Sequence, residues 1–329
     1  MFNQQSPFIQ KTSSVTQVML LVMLALIPGI LVYVYYFGFG VLFNLSAAII
    51  TALVSEFIIL KMRGLSVKNY ITDGSAIVAA SLLAISIPSI APWWIIVIGT
   101  LFTIVIAKHL YGGLGSNLFN PAMVGYAALL ISFPAIMTKW PQPIEYLSIH
   151  EHLNIFLYGL KEKVDGFTSA TPLDFIKTQL FLGNKVIDTS SYQSYADATK
   201  IIGIGYLLGG IFLWYKKIIT WHLPITFIIS LFVIASIFWL IDPIQFQNPM
   251  THILSGGSLL CAFFIITDPV SGPTTPKGKI IFALGVAVLV YLIRVFGGYP
   301  EGIAFAVIFM NICVPLIDKY SQPKVFGHD

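Results

Sequence analysis

The residues best suited to chemistry lie in one stretch, Asp165-Gly166-Phe167-Thr168-Ser169-Ala170-Thr171-Pro172-Leu173. Thr171 followed by Pro172 has the form of a helix start. The hydroxyl would accept a backbone N–H, Pro172 would fill the first helical position, and Asp174 would sit third. A cap alone leaves the small run Thr168-Ser169-Ala170 and the upstream Asp165 without a purpose. Elsewhere, Glu56 is the one acid inside a long apolar run. A carboxylate at the bilayer centre costs about 2.5–3.5 kcal/mol on insertion scales, so Glu56 either sits at an interface near Lys61 or serves an ion. Asn44, Asn120 and Asn311 also fall in apolar runs, where they bond a neighbouring helix or a ligand. The histidines are scattered, and Cys261 and Cys313 lie in apolar runs as packing residues.

The elements that must carry these residues belong to a membrane. The chain has 329 residues, of which 57% are hydrophobic and 10% charged, well below the roughly 25% charged of a soluble domain. Its 14 acidic and 18 basic residues collect between long apolar runs. The net charge of +4 gives no basis for a nucleic-acid partner; lipid is the implied surroundings. The run from Val18 to Phe37 is too long for a signal peptide and reads as a span. Ten spans are expected, near 16–37, 39–61, 72–88, 92–110, 118–134, 200–216, 222–241, 250–267, 279–296 and 300–318. The third and eighth are short and rich in Gly, Ala and Ser. The fold expected is therefore all-α and polytopic, with one long polar segment at 135–199.

Orientation follows from Lys and Arg. With the N-terminus inside, cytoplasmic segments hold Lys11, Lys61, Arg63, Lys68, Lys108, Lys216, Lys217, Lys277, Lys279, Lys319 and Lys324, while the short outer loops hold almost no basic residue. Both termini are then cytoplasmic, and 135–199 lies outside. The chain also repeats weakly. Gly74-Ser75 and Gly257-Ser258 are 183 residues apart, and Gly112-Gly113 and Gly297-Gly298 are 185 apart, with Lys108 and Arg294 at equivalent places upstream. Two halves, 1–134 and 200–329, with five spans each must have opposite topology. A site between inverted halves forms at short or Gly-interrupted spans, which singles out Gly74 and Gly257.

Asp-x-x-Thr-Ser-Ala-Thr resembles the flavinylation motif shared by the D subunit of Rnf complexes and the B subunit of the Na+-pumping NADH:quinone reductase. The resemblance extends over essentially the whole chain, including Asn117-Leu118-Phe119-Asn120-Pro121-Ala122. It implies FMN joined through its phosphate to the Thr171 hydroxyl by an extracytoplasmic flavin transferase. In that reading Asp165, Thr168, Ser169 and Ala170 form the recognition motif, with Ser169 standing where the family usually has Gly. About 15 residues precede the first span, which favours the Rnf branch. The resemblance further implies a bacterial inner-membrane complex with subunits A, B, C, E and G, coupling electron transfer between ferredoxin and NAD to Na+ or H+ translocation. A second, non-covalent flavin, riboflavin, is implied in the helical core, with Glu56, Asn120, Gly74 and Gly257 as candidates for it or for the ion. The chain has no nicotinamide fingerprint or Cys cluster of its own. A different class, a cofactor-free solute channel of urea-channel type, shares the inverted five-helix plan but gives no reason for the outer motif.

Overall fold

The computed structural model describes residues 14–143, 147–159, 168–181, 190–243, 245–299 and 301–323. The helices before the polar segment are α1 (Val15–Phe37), α2 (Gly40–Met62), α3 (Val67–Ile71), α4 (Ser75–Ser86), α5 (Trp93–Leu101), continued by a π-helical segment π1 (Phe102–His109), and α6 (Pro121–Ser132). The polar segment holds α7 (Pro134–Met137), α8 (Ile149–Tyr158) and α9 (Pro172–Phe181). Strand β1 (Trp140–Pro141) pairs antiparallel with β2 (Thr168–Ser169), Trp140 opposite Ser169. Beyond it come α10 (Ser190–Tyr215), α11 (His222–Ile241), α12 (Pro249–Leu254), α13 (Ser258–Leu260), the segment π2 (Cys261–Ile265), α14 (Pro276–Phe296) and α15 (Ile303–Ser321).

Among the described residues, α1, α2, α10, α11, α14 and α15 are long and apolar enough to cross a membrane. They coincide with six of the expected spans. The third, fourth and fifth correspond to the shorter apolar helices Ser75–Ser86, Trp93–His109 and Pro121–Ser132. The eighth is a broken element rather than one helix. After α12 the chain turns at Ser255-Gly256-Gly257, with Gly256 at φ +63°, before α13 and π2 resume.

Local chemistry sets most helix starts. Ser14 and Gln17 form a capping box for α1, as Ser148 and Glu151 do for α8. Asn120, Asn248 and Thr275 each cap a helix that begins with proline. A short polar side chain takes an orphan N–H, and the proline ring has none to lose. The core runs through helices on both sides of the polar segment, and α1 and α10 approach closely within it. A Cβ on Gly209 would stand 1.8 Å from the carbonyl oxygen of Ala25, and one on Gly205 would stand 2.8 Å from Cα of Gly29. Only hydrogen fits there, so the backbones approach as small-residue helix pairs in membranes do. Large apolar side chains such as Leu31, Ile50, Ile229, Leu240 and Ile312 remain exposed on the helices. That surface suits lipid or neighbouring helices rather than water.

Candidate functional site

Thr171 caps α9 as its sequence foretells: its Oγ1 accepts the N–H of Asp174 at 3.3 Å, and its carbonyl accepts that of Phe175 at 2.8 Å. The pairing of β2 with β1 ties the small residues before it to Trp140-Pro141. Ala170 is exposed and Thr171 half-buried. Asp165 lies outside the described residues, and of Thr168 and Ser169 only the backbone is described. Lys177 anchors the helix from its second turn by donating to the carbonyl oxygens of Gly297 and Tyr299. Partial burial lowers the Lys177 pKa, with Asp174 opposing that shift, and burial raises the Asp174 pKa against the pull of Lys177.

Thr171 belongs to the wall of a cavity of about 160 Å³. Tyr33 and Phe37 of α1, Tyr126 of α6, Trp140 of β1 and Tyr195 and Tyr206 of α10 supply its aromatic lining. Gly256, Gly257 and Glu301 form another part. The cavity is thus bounded by helices from both sides of the polar segment. Most of its wall is apolar, with a few polar atoms able to fix orientation, as ligand sites generally are. The hydroxyl of Tyr206 is buried and, among the described residues, has no hydrogen-bond partner. Such a group is costly unless a ligand or water meets it.

Glu301 is held at that wall by Arg294. The guanidinium donates from Nε to Oε1 at 3.0 Å and from NH2 to Oε2 at 2.8 Å, and NH1 reaches the carbonyl of His252 at 2.7 Å. Glu301 in turn accepts the N–H of Gly257 at 3.2 Å. A Cβ on Gly256 would lie 2.4 Å from Glu301 Oε2. The acid therefore packs against the break, and its carboxylate leaves no room for a side chain at Gly256.

The remaining candidates separate. Gly257 reaches the cavity, but Gly74 does not: it stands at φ +79° before α4, its side nearest Met19. Asn120 is a helix contact as well as a cap. Its Nδ2 donates to the Ile265 carbonyl at 3.1 Å, its N–H donates to Asn311 Oδ1 at 3.0 Å, and Asn311 Nδ2 donates to the Ser271 carbonyl at 2.9 Å. Asn44 donates to the carbonyl of Pro88. Glu56 is 1% exposed and pairs with Lys108 and His109 rather than with Lys61. Lys108, counted among the cytoplasmic charges, is itself 3% exposed. Both basic residues upstream of the glycine pairs, Lys108 and Arg294, are thus buried against an acid. The sequence reading missed Lys177, whose partners are carbonyls and leave no pattern. It also missed the tyrosine cluster, because tyrosines on separate elements converge only in space.

Comparison with known proteins is consistent with this architecture. Residues 2–327 match the model of the NQR2, RnfD, RnfE family. Proteins named as the D subunit of an ion-translocating oxidoreductase complex are similar over nearly the full length. Those of Salmonella typhi and Salmonella paratyphi A (strain ATCC 9150 / SARB42) are each 46% identical, and that of Salmonella typhimurium is 45% identical. In each case 98% of this chain and 97% of the relative are covered.

Proposed function

The chain belongs to the NQR2, RnfD, RnfE family, and from that premise we propose that it carries FMN on Thr171 within a complex that couples electron transfer to movement of Na+ or H+. Its kinship with those D subunits makes it a multi-pass membrane component of an ion-translocating oxidoreductase complex. The matched names favour this reading over a cofactor-free solute channel.

One observation carries the flavin proposal: Thr171 is at once the cap of α9 and part of the wall of an aromatic cavity. FMN joined there supplies one- and two-electron redox chemistry. The ester oxygen of Thr171 would keep its place at the helix N-terminus, where the first-turn N–H groups favour a phosphate. Tyr206 offers its unpartnered hydroxyl to a polar atom of the ring system, and the aromatic lining keeps water out. The Glu301 carboxylate adds negative charge at one wall and so opposes a further negative charge beside it. Gly257 lines the cavity assigned here to FMN and Gly74 lies outside it, so neither gives the riboflavin expected from the resemblance a place of its own.

The proposal includes two five-span halves, 1–134 and 200–329, of opposite topology. In its support, α2 packs on α4 and α5, as α11 packs on π2 and α14, and α1 packs on α10. In each half the basic residue upstream of the glycine pair, Lys108 or Arg294, is buried and paired with an acid. It also places 135–199 outside the inner membrane and both termini in the cytoplasm, with subunits A, B, C, E and G and the flavin transferase as partners. Proteolysis of the protein from native membranes tests the attachment. The peptide containing Thr171 should carry the mass of FMN less one water; an unmodified peptide at full occupancy would remove the proposal.

A further inference from the structure

A second buried polar site lies far from Thr171. Glu56 is on α2, sixteen residues beyond Gly40, or about 24 Å along the helix. The Gly40 end lies beside α8, since Phe43 meets Phe156 and a Cβ on Gly40 would lie 3.1 Å from Nδ1 of His152. Glu56 therefore stands toward the opposite end of the bundle. Its Oε1 accepts from Lys108 Nζ at 2.5 Å and lies 3.1 Å from His109 Nε2, while Lys108 Nζ also donates to Ser75 Oγ at 2.7 Å. Glu56, Lys108 and His109 are 1%, 3% and 6% exposed.

An ion pair that served only packing would need one acid and one base, with every lone pair satisfied. This cluster exceeds that need. A third titratable group, His109, meets the same oxygen. Among the described residues, both Glu56 Oε2 and His109 Nδ1 are buried without a hydrogen-bond partner. Half-satisfied buried networks are costly, so they call for an occupant. The backbone supports the same conclusion. Lys108 and His109 are adjacent in sequence, and they converge on one oxygen at the end of π1, a helix form that is rare and gathers at functional sites. Access is short: a Cβ on Gly113 would lie 3.7 Å from His109 Nδ1 and 4.0 Å from an Arg63 nitrogen, and Arg63 is exposed. Inward, the hydroxyls of Ser81 on α4 and Thr100 on α5 are also buried and unpartnered.

We propose that Glu56, Lys108 and His109 form a proton-exchange site, entered past Gly113 and Arg63. The charges facing it are few. Glu56 and Arg63 come from α2 and its C-cap, and Lys108 and His109 from π1. Asp73, before α4, turns its carboxylate to the N–H and hydroxyl of Ser75. With Glu56 ionised, Lys108 charged and His109 neutral, the trio is neutral. A proton arriving from water binds His109 Nδ1 or Glu56 Oε2 and raises its charge by one; its release reverses the step, with no bond to carbon broken and no electron moved. Lys108 disfavours a metal cation, because its ammonium on Glu56 Oε1 opposes a second positive ion beside the same carboxylate.

The inference rests on the chain's place in an ion-translocating complex but not on flavin at Thr171. Its test is redox-induced infrared difference spectroscopy of the purified complex, with proton uptake read in parallel by a pH dye. Dithionite reduction should produce a buried-carboxyl protonation band that is lost in Glu56→Gln, together with a loss of proton uptake in both Glu56→Gln and His109→Gln. His109→Gln keeps the inference testable if the first variant does not assemble. Spectra and uptake unchanged from the parent in whichever variants assemble would reduce the trio to packing. A band shifted by Na+ at constant pH would make it a cation site, and either result overturns the proposal. Covalent fluorescence of the denatured chain, measured on the same preparations, distinguishes these outcomes from failure of the flavin reading.

Discussion

Replacing Arg294 by Leu should unlock the broken element around Gly256. The guanidinium is buried and makes all three contacts described above, two to Glu301 and one to the His252 carbonyl. Removing one partner of a buried pair costs about 3–5 kcal/mol, because the other charge is left uncompensated. The side chain of Glu301 is 21% exposed, at the cavity, and it retains the N–H groups of Gly257 and Gly302. The lower end, about 3 kcal/mol, is therefore expected. In Arg294→Leu/Glu301→Gln the stranded charge is gone, and about 1 kcal/mol should remain for the lost hydrogen bonds. Cys261, a buried free thiol at the start of π2, reports the opening. In a Cys313→Ala background its labelling by a small thiol reagent should accelerate about a hundredfold in the single variant, since each 1.4 kcal/mol is tenfold in population. The double variant should accelerate about fivefold. Equal labelling in single and double variants would refute the clamp, as would a single variant no faster than the parent.

The other predictions concern topology, the glycines and the mid-bundle asparagine. Cysteine at the exposed Leu157 should react with an impermeant thiol reagent in cells with a permeabilised outer membrane, and cysteine at Lys68 or Lys217 should not; the reverse pattern would invert the chain. Gly257→Leu should alter the emission of the bound flavin, because a Cβ there already lies 3.1 Å from Ile303 Cδ1. Gly74→Leu should leave that emission unchanged while lowering thermal stability, because φ +79° strains a branched residue by about 1 kcal/mol or more. Asn120→Leu should destabilise by about 2 kcal/mol in thermal unfolding, combining loss of the cap with loss of the bond to Ile265. A variant as stable as the parent would show that this contact carries little.

The sequence disclosed what local chemistry determines. Threonine before proline marked the helix start at Pro172, and apolar length marked the long helices. The break in the eighth span was legible only as a short, glycine-rich stretch, because Glu301, which holds it open, comes 44 residues after Gly257. Glu56 was recognised as out of place, but its nearest basic neighbour in sequence, Lys61, is not its partner. The partner, Lys108, is brought in by packing of π1 on α2, a tertiary event with no periodic signature. Of the cavity wall, the sequence reading had singled out Thr171 and Gly257. Its tyrosines lie on α1, α6 and α10, and each on its own element reads as an ordinary apolar-face residue.

The flavin reading meets its most direct test in the protein itself, prepared in the native host so that the transferase is present. A phosphoester bond survives denaturation, so ultraviolet fluorescence of the denatured band reports covalent flavin. Parent protein should fluoresce, Thr168→Ala should retain signal, and Thr171→Ala should be dark at equal protein. A fluorescent Thr171→Ala band would move the attachment elsewhere and contradict the account.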